Sequence, residues 1–537
     1  MRLLLLTLSV IALAGCRASS SDRGPALGLD DLPLAPDTPP AWAAEAAWYE
    51  IDVDRFRNGD PDNDPTPAAV AATDAVSPMA LLDAGWQPTP WGADWTARAD
   101  WERDLGNAEA TLPLRRYGGD LQGVLDELPA IAALGVTALV LRVADVRAPH
   151  HVDPFLGPKP ARDREAILLE TPGDPATWGT SAADRLLQDL VEAAHARRLR
   201  VVLDVAWPGS LAATAANPDS AEVNALAIAV RWLDPDGDGD SSDGVDGFRL
   251  DADAGSAAFR AELRRVVKAI HPEAILIGRP AGLAPTVGSL DALADDRAFR
   301  VLQLVLDPLG PQITPAEVAA ALGAVYAATP PDHLPAFLST AGPADAPRLA
   351  TALRNAGVPD AQASPRIRSG YDASRPGPDA TRAVGLYRLL QATLPAAPHV
   401  LAGDEIGVWG ARAPDNRRPM PWPDLVPALA GSATRAPVPD AALRALTSEA
   451  LRLRRDHPDL FARGTLAWEP EGDLLRFVRR SEREEAVVVV NLGTEAARVA
   501  VDATTLAFHV GVPPGAIGGE VVLAPRSGAV FVRSVDL

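Results

Sequence analysis

The feature that most constrains the fold is a regular alternation of short apolar segments and amphipathic segments between residues 46 and 460. Short apolar runs predict strands at 47–54, 136–143, 199–206, 245–252, 274–279, 301–307, 334–339 and 398–403. Helical periodicity predicts helices at 119–134, 181–198, 220–233, 256–271, 314–328, 380–394 and 440–456. Eight strands, each followed by a helix or a loop crossover, favour a parallel (β/α)8 barrel of the TIM type. The same periodicity also fits a doubly wound open sheet.

The two ends of the chain differ from this central pattern. Beyond residue 464 short strands such as 474–478 and 486–491 follow one another without helices, so we interpret 464–537 as an all-β sandwich. Residues 17–45 are rich in Ser, Pro, Ala and Asp, which predicts a flexible tether before a barrel at 46–460.

Composition narrows the class of function. Hydrophobic residues make up 47% of the 537 residues, enough for a large buried core. The formal net charge of −21 argues against a nucleic-acid partner, whose phosphates require a basic surface. The sequence does not identify a protein partner.

Residues 1–16 have the organisation of a bacterial lipoprotein signal. Arg2 precedes an apolar run at 3–13, and small residues lead into Cys16. Leu-Ala-Gly-Cys resembles the bacterial lipobox, which implies lipidation of Cys16. We therefore expect an exported protein held in the cell envelope, at the outer membrane or surface, by an N-terminal lipid. Cys16 is the only cysteine, so the chain cannot form an intrachain disulfide.

Several segments carry a resemblance to a known family through their order and spacing. They are 48–60 (WYEIDVDRFRNGD), 117–123 (YGGDLQG), 231–235 (RWLDP), 246–251 (DGFRLD), 403–407 (GDEIG) and 414–422 (PDNRRPMPW). Together they resemble the cyclomaltodextrinase and neopullulanase-like branch of the α-amylase superfamily of glycoside hydrolases. The resemblance covers most of residues 46–500. It implies a retaining reaction on α-glucans, in which one carboxylate attacks and a second carboxyl group protonates the leaving oxygen.

The resemblance implies roles for three residues at strand ends. Asp251 matches the nucleophile, and Arg249, two residues earlier on the same strand face, is expected to keep it ionised. Arg279 stands where the family has its general-acid glutamate. A guanidinium is permanently charged and cannot donate a proton at neutral pH. Glu273 lies at the opposite end of that strand and Asp253 shares the strand of Asp251, so we expect neither to replace the acid.

Two further family positions are altered. The Asn-His pair expected after the third strand is replaced by Pro208-Gly209, so a sugar-binding histidine and a calcium-binding asparagine are missing. After the seventh strand the family has a His-Asp pair, and two alignment registers are open. If the alignment is anchored on Arg348, Asp345 takes the position of the family's transition-state stabiliser. If it is anchored on the seventh strand, residues 341–342 take the positions of the His-Asp pair. Neither register supplies the histidine.

The loops that would wall the cleft are also reduced. The loop at 209–218 is a much shortened form of the small B domain found after the third strand in active relatives. The segment 144–149 lacks the tyrosine that would stack on the sugar. His150 and His151 follow it, and the resemblance predicts a structural role for them rather than a metal site.

One group of family residues is intact and suits a calcium ion. Four oxygen donors lie within seven residues, and the resemblance adds two positions from a second segment. The residues are Asn58, Asp60, Asn63, Asp64, Gly118 and Asp120. The alternative is a polar loop closed by Asx turns. A second acidic run at 234–240 resembles the start of an EF-hand loop, but Val245 replaces its bidentate glutamate.

These observations predict an α-amylase-like lipoprotein of α-glucan metabolism that has lost hydrolysis and retains at most weak binding of an α-glucan oligosaccharide. Two alternatives stay open. The first is an active hydrolase or transglycosylase with a displaced acid, which would place another carboxyl group roughly 5–5.5 Å from Asp251. The second is a surface lipoprotein whose barrel serves only as a platform for a partner.

Overall fold

The computed structural model describes residues 38–73, 76–145, 147–205, 207, 218–251, 254–279, 289–425, 439–501, 505–517 and 520–535. The predicted signal with Cys16, most of the tether, Asp253, Pro208-Gly209 and nearly all of the loop at 209–218 lie outside these residues.

Eight parallel strands close into a barrel in sequence order, with the last strand paired to the first. The strands are β1 (Trp48–Ile51), β2 (Ala138–Leu141), β3 (Arg200–Asp204), β4 (Gly247–Leu250), β5 (Ile275–Gly278), β6 (Ala292–Asp295), β7 (Leu338–Ser339) and β8 (Ala397–Leu401). Most of their side chains are buried in one hydrophobic core, as expected for strands covered on both faces. The closed barrel confirms the (β/α)8 prediction over the open sheet.

Helices surround the barrel and begin and end at sequence signals. They are α1 (Ala41–Ala44), α2 (Pro67–Thr73), α3 (Pro78–Asp83), α4 (Asp100–Leu105), α5 (Ala108–Thr111), α6 (Leu121–Leu134), α7 (Pro160–Ile167), α8 (Ala182–His195), α9 (Pro218–Leu233), α10 (Ala257–Ile270), α11 (Arg297–Val305), α12 (Pro315–Ala327), α13 (Leu349–Arg354), α14 (Pro378–Thr393) and α15 (Ala441–Asp456). The side chain of Ser181 caps α8 and that of Asp120 caps α6. None of the described helices combines the length and apolarity needed to cross a membrane.

The structure corrects the sequence-based assignment at two places. The prediction of a strand at 301–307 is wrong, because these residues lie in and after α11 and the sixth strand is β6. Phe299, Leu302 and Val305 are spaced three residues apart and are buried on one face of this helix. In a segment this short, the sequence pattern of a buried helix face cannot be told apart from that of a buried strand. The predicted tether also overlaps α1, where Ala43 is fully buried and Trp42 packs against Trp48 with ring centroids 5.7 Å apart.

The C-terminal region consists of two antiparallel sheets, in agreement with the all-β prediction. The five-stranded sheet has the order β13-β16-β11-β10-β9 and the three-stranded sheet the order β12-β15-β14. The strands are β9 (Thr465–Trp468), β10 (Leu474–Arg480), β11 (Glu484–Asn491), β12 (Ala497–Ala500), β13 (Thr505–Val510), β14 (Gly515–Ile517), β15 (Glu520–Leu523) and β16 (Ser527–Ser534). The larger sheet shares a hydrophobic core with α14 and α15, so it is joined firmly to the barrel.

Candidate active site

Charged side chains from several strands meet at the carboxyl ends of the barrel strands, where barrel enzymes build their sites. Arg249 of β4 donates to both carboxylate oxygens of Glu50 of β1, at 2.6 and 2.7 Å. The same guanidinium donates to Asp204 Oδ2 at 2.8 Å, and its side chain is only 3% exposed. The expected pairing of Arg249 with Asp251 is therefore wrong. Because β4 ends at Leu250, the strand alternation that would put both residues on one face does not extend to Asp251.

Asp251 is instead bound by Arg279. Arg279 Nη1 donates to Asp251 Oδ1 at 3.0 Å, and Nη2 donates to Asp204 Oδ2 at 2.8 Å. The guanidinium of Arg279 thus bridges Asp251 to Asp204, the acid at the end of β3. Glu273 lies at the other end of β5, where its carbonyl accepts from Trp42, so it is remote from this contact.

Asp204 is the centre of the charge cluster. Its Oδ2 accepts hydrogen bonds from Arg249, Arg279 and Arg142, the last at 2.7 Å. Burial alone would raise the pKa of Asp204, but the three guanidinium groups outweigh it and lower the pKa to about 2. Burial is likewise outweighed at Glu50, where Arg249 and His399 hold the pKa well below its usual range. Both carboxyl groups are therefore ionised at neutral pH.

Two cavities open at this end of the barrel. One of about 200 Å³ is lined by residues that include Glu50, Arg142, Arg348 and His399. The other, of about 730 Å³, is lined by Arg249 and Arg279 among others. The described residues that line them include no Phe, Tyr or Trp, and His399 carries their only aromatic ring. The described part of the cavity walls therefore offers little aromatic surface on which a sugar would stack.

The loop after β7 does not bring Asp345 to the cleft. Its side chain is 64% exposed and its carboxylate pairs with Arg417 at 3.4 Å. Residues 341–344 line the smaller cavity. The expectation that Asp345 stabilises a transition state finds no contact in this geometry to support it.

The sequence reasoning missed the cleft residues Glu50, Arg142 and His399. Glu50 accepts from His399 Nε2 at 3.0 Å as well as from Arg249. The sequence does mark Glu50 as unusual, because it is an acidic residue within the otherwise apolar strand WYEI. A carboxylate there needs a buried cationic partner, but the partner lies 199 residues away in sequence.

The residues of the predicted calcium site lie together in one loop cluster. Asp120 accepts from the backbone of Asp60 at 2.8 Å and from the amide of Asn63 at 3.3 Å. Asn58 donates to Asp64 at 2.8 Å. The Oδ1 atoms of Asn58 and Asn63 are buried and have no hydrogen-bond partner among the described residues. Two orphaned amide oxygens beside a carboxylate fit a hard cation such as Ca²⁺.

Glycine is required in this cluster at position 118. Gly118 has a φ of +74°, and a Cβ there would lie 2.0 Å from Asp64 Oδ1. Burial raises the pKa of both Asp64 and Asp120. Asp234 and Asp236 of the second acidic run have carboxylate oxygens within 4.8 Å of each other and of one from Asp243, which lies just beyond the run.

Comparison with known proteins agrees with the barrel and its strand-end motifs. No protein-family model matches this chain. Neopullulanase 2 from Thermoactinomyces vulgaris is 26% identical over 491 residues, which cover 84% of this chain and 70% of that protein. A cyclomaltodextrinase from a Bacillus species is 25% identical over 510 residues, covering 84% of this chain and 74% of that protein.

Solved structures share the fold. The cyclic α-maltosyl-(1→6)-maltose hydrolase from Arthrobacter globiformis is similar with a TM-score of 0.61 and 21% identity, over 93% of this chain and 100% of that chain. A debranching enzyme from Nostoc punctiforme has a TM-score of 0.58 and 19% identity, over 92% and 99% of the two chains. This chain thus shares the (β/α)8 fold of these enzymes. Over most of its length it is also similar in sequence to curated glycoside hydrolases of the α-amylase family.

Proposed function

We propose that this protein is a member of the α-amylase family that no longer hydrolyses α-glucans. The observation that carries the proposal is the pair of hydrogen bonds from Arg279 to Asp251 and Asp204. A retaining hydrolase needs a free nucleophile and a protonated acid, and here a cation takes the acid's place and binds the nucleophile. Loss of acid–base assistance costs about 10²–10⁴ in rate. A fixed cation also repels the oxocarbenium-like transition state.

The neighbouring carboxyl groups do not supply the missing proton. Glu50 and Asp204 are held ionised by guanidinium groups, as the lowered pKa of each shows. An ionised carboxylate accepts a proton and cannot serve as the general acid. This argues against an active hydrolase that uses either residue as a displaced acid.

We propose a short α-glucan as the weakly bound ligand. Two solved structures of the Arthrobacter hydrolase contain cyclic α-maltosyl-(1→6)-maltose and maltose, and this chain shares their fold. The lack of Phe, Tyr and Trp among the described lining residues predicts that binding here is weak and poorly selective. The lipoprotein-type signal supports a site of action in the cell envelope, with the chain attached through lipid on Cys16.

We further propose that Ca²⁺ binds at the loop cluster formed by residues 58–64 and 118–120. The unpaired amide oxygens of Asn58 and Asn63 support this proposal, because they could coordinate a structural ion. The ion would connect the loop that follows β1 to the start of α6. The ion would stabilise the conformation of these two loops and would take no part in the chemistry of the cleft.

Assays of the purified protein on maltodextrins, cyclodextrins and pullulan test the proposal. The expected result is no turnover above the level of an Asp251→Asn variant prepared in the same way. Turnover that Asp251→Asn abolishes would contradict the proposal. Calorimetric titration with the same sugars tests the ligand, and the absence of binding to every sugar would favour the platform function instead.

A further inference from the structure

A second cluster of reactive side chains lies outside the cleft, where the loop after β2 meets the segment before α8. Nε2 of His150 and Nε2 of His151 both approach Oε2 of Glu170, at 3.1 and 2.8 Å. The two histidines are 2% and 1% exposed, and the Glu170 side chain is 8% exposed. Three potential metal ligands are thus held together inside the protein rather than on its surface.

The surroundings hold both rings in place. His151 Nδ1 lies 2.7 Å from Asp184 Oδ2, and Asp184 is itself fixed by the backbone amides of Val152 and Ser181. A histidine whose second nitrogen faces a carboxylate is the usual arrangement at protein-bound metals, because it fixes the ring orientation. Trp178 stacks on His150 with centroids 4.1 Å apart and planes 18° apart. The rings are therefore oriented before any ligand arrives.

The distances are close to those of a coordination shell. Zinc binds histidine nitrogen and carboxylate oxygen at about 2.0–2.2 Å, so the edges of its tetrahedron are roughly 3.3–3.6 Å. The two nitrogen–oxygen separations here are 3.1 and 2.8 Å, so the ligand atoms need to move apart by roughly 0.2–0.8 Å. A cavity of about 240 Å³ is lined by His150 and Glu170, and it offers an entry path and room for a solvent ligand.

We propose that His150, His151 and Glu170 bind one zinc-class divalent cation, with a solvent molecule as the fourth ligand. The ion takes the place of the Nε2 proton of His151, and the neutral ring of His150 binds it through Nε2 with its single proton on Nδ1. It ties the loop after β2 to the segment that leads into α8. The site does not depend on the proposed function of the cleft.

A metal-free arrangement is the competing explanation. Burial opposes a charge on His151, but Asp184 and Glu170 raise the pKa of this residue and would hold it as an imidazolium between two carboxylates. Burial together with His151 lowers the pKa of His150 to about 4, so its ring is neutral at pH 7. The two explanations differ in whether the protein takes up a stoichiometric metal ion.

The test is a zinc titration of the full chain without a histidine tag, after stripping with a chelator and with excess Ca²⁺ present to fill the oxygen-donor loops. A chromophoric chelator competes for the zinc. We expect one tight site in the wild-type protein, and weakening by more than about 100-fold in His150→Ala and in Glu170→Gln. His457→Ala is the matched control, because His457 also contacts a glutamate, Glu484 at 2.8 Å, and should leave affinity unchanged.

X-ray absorption at the zinc edge identifies the ligand atoms directly. Because it is measured on the wild-type protein, its result does not depend on whether a variant folds correctly. The expected spectrum has two imidazole nitrogens and oxygen ligands. A spectrum without imidazole, an absence of stoichiometric binding, or wild-type affinity in both His150→Ala and Glu170→Gln would each overturn the proposal.

Discussion

Neutralising Asp204 should destabilise the barrel measurably, because three guanidinium groups converge on its Oδ2 atom. The pKa of about 2 in the folded protein lies well below the ordinary value of about 4. A difference of that size corresponds to roughly 3 kcal/mol of stability at pH 7. Breaking a buried ion pair costs about 3–5 kcal/mol, and the Asp204 side chain is only 3% exposed. We therefore expect Asp204→Asn to cost about 3 kcal/mol.

The pH dependence of this loss follows from the direction of the pKa shift. A depressed pKa means that the contribution of Asp204 is complete above pH ~4 and disappears as the pH falls towards ~2. The free-energy difference between wild type and Asp204→Asn should therefore shrink as the pH falls from about 4 to about 2.

Urea unfolding followed by tryptophan fluorescence measures this difference from the shift in midpoint at constant slope. Asp345→Asn is the matched control, because its exposed pair with Arg417 should contribute less than about 0.5 kcal/mol. A loss below about 1 kcal/mol for Asp204→Asn at pH 7, or a loss that does not change with pH, would refute the reasoning.

Three further outcomes are expected. Arg279→Glu should not restore hydrolysis of maltodextrin, because the sugar-gripping histidines are missing; turnover in that variant that Asp251→Asn removes would contradict this. Removal of Ca²⁺ with a chelator should lower the thermal midpoint of the wild-type protein, and an unchanged midpoint would argue against the ion. Gly118→Ala should abolish that Ca²⁺ dependence, since its Cβ would meet Asp64 Oδ1, whereas Gly85→Ala should preserve it, because Gly85 has a similar φ of +69° with open space around it.

Much of the barrel was predictable from local pattern. Seven of the strand segments and all the long helices named from periodicity are present, because buried strands and amphipathic helices leave different repeats in the sequence. The sixth strand was not predictable in the same way. Ala292–Asp295 is four residues long and the following helix is equally apolar on one face, so only packing distinguishes them.

The candidate site was predictable in its residue types and only partly in its contacts. Arg279 cannot donate a proton wherever it lies, so the absence of the family's acid at that position follows from the sequence. The ion-pair partner of Asp251 cannot be predicted from the sequence in the same way. Arg249 and Arg279 both lie near the ends of strands next to Asp251, and the sequence does not say which of them contacts it.

By itself, then, the sequence determined the alternation of strands and helices, the all-β C-terminal region and the presence of a fixed cation, Arg279, directly after the fifth strand. Those features depend on local periodicity and on the chemistry of single side chains. Only the tertiary structure decided that Arg249 pairs with Glu50 and Asp204 and that Arg279 binds Asp251. The physical reason is that closure of the barrel brings the ends of β1, β3, β4 and β5 together. Which buried charges pair with one another depends on the distances between them, and separation along the sequence does not determine those distances.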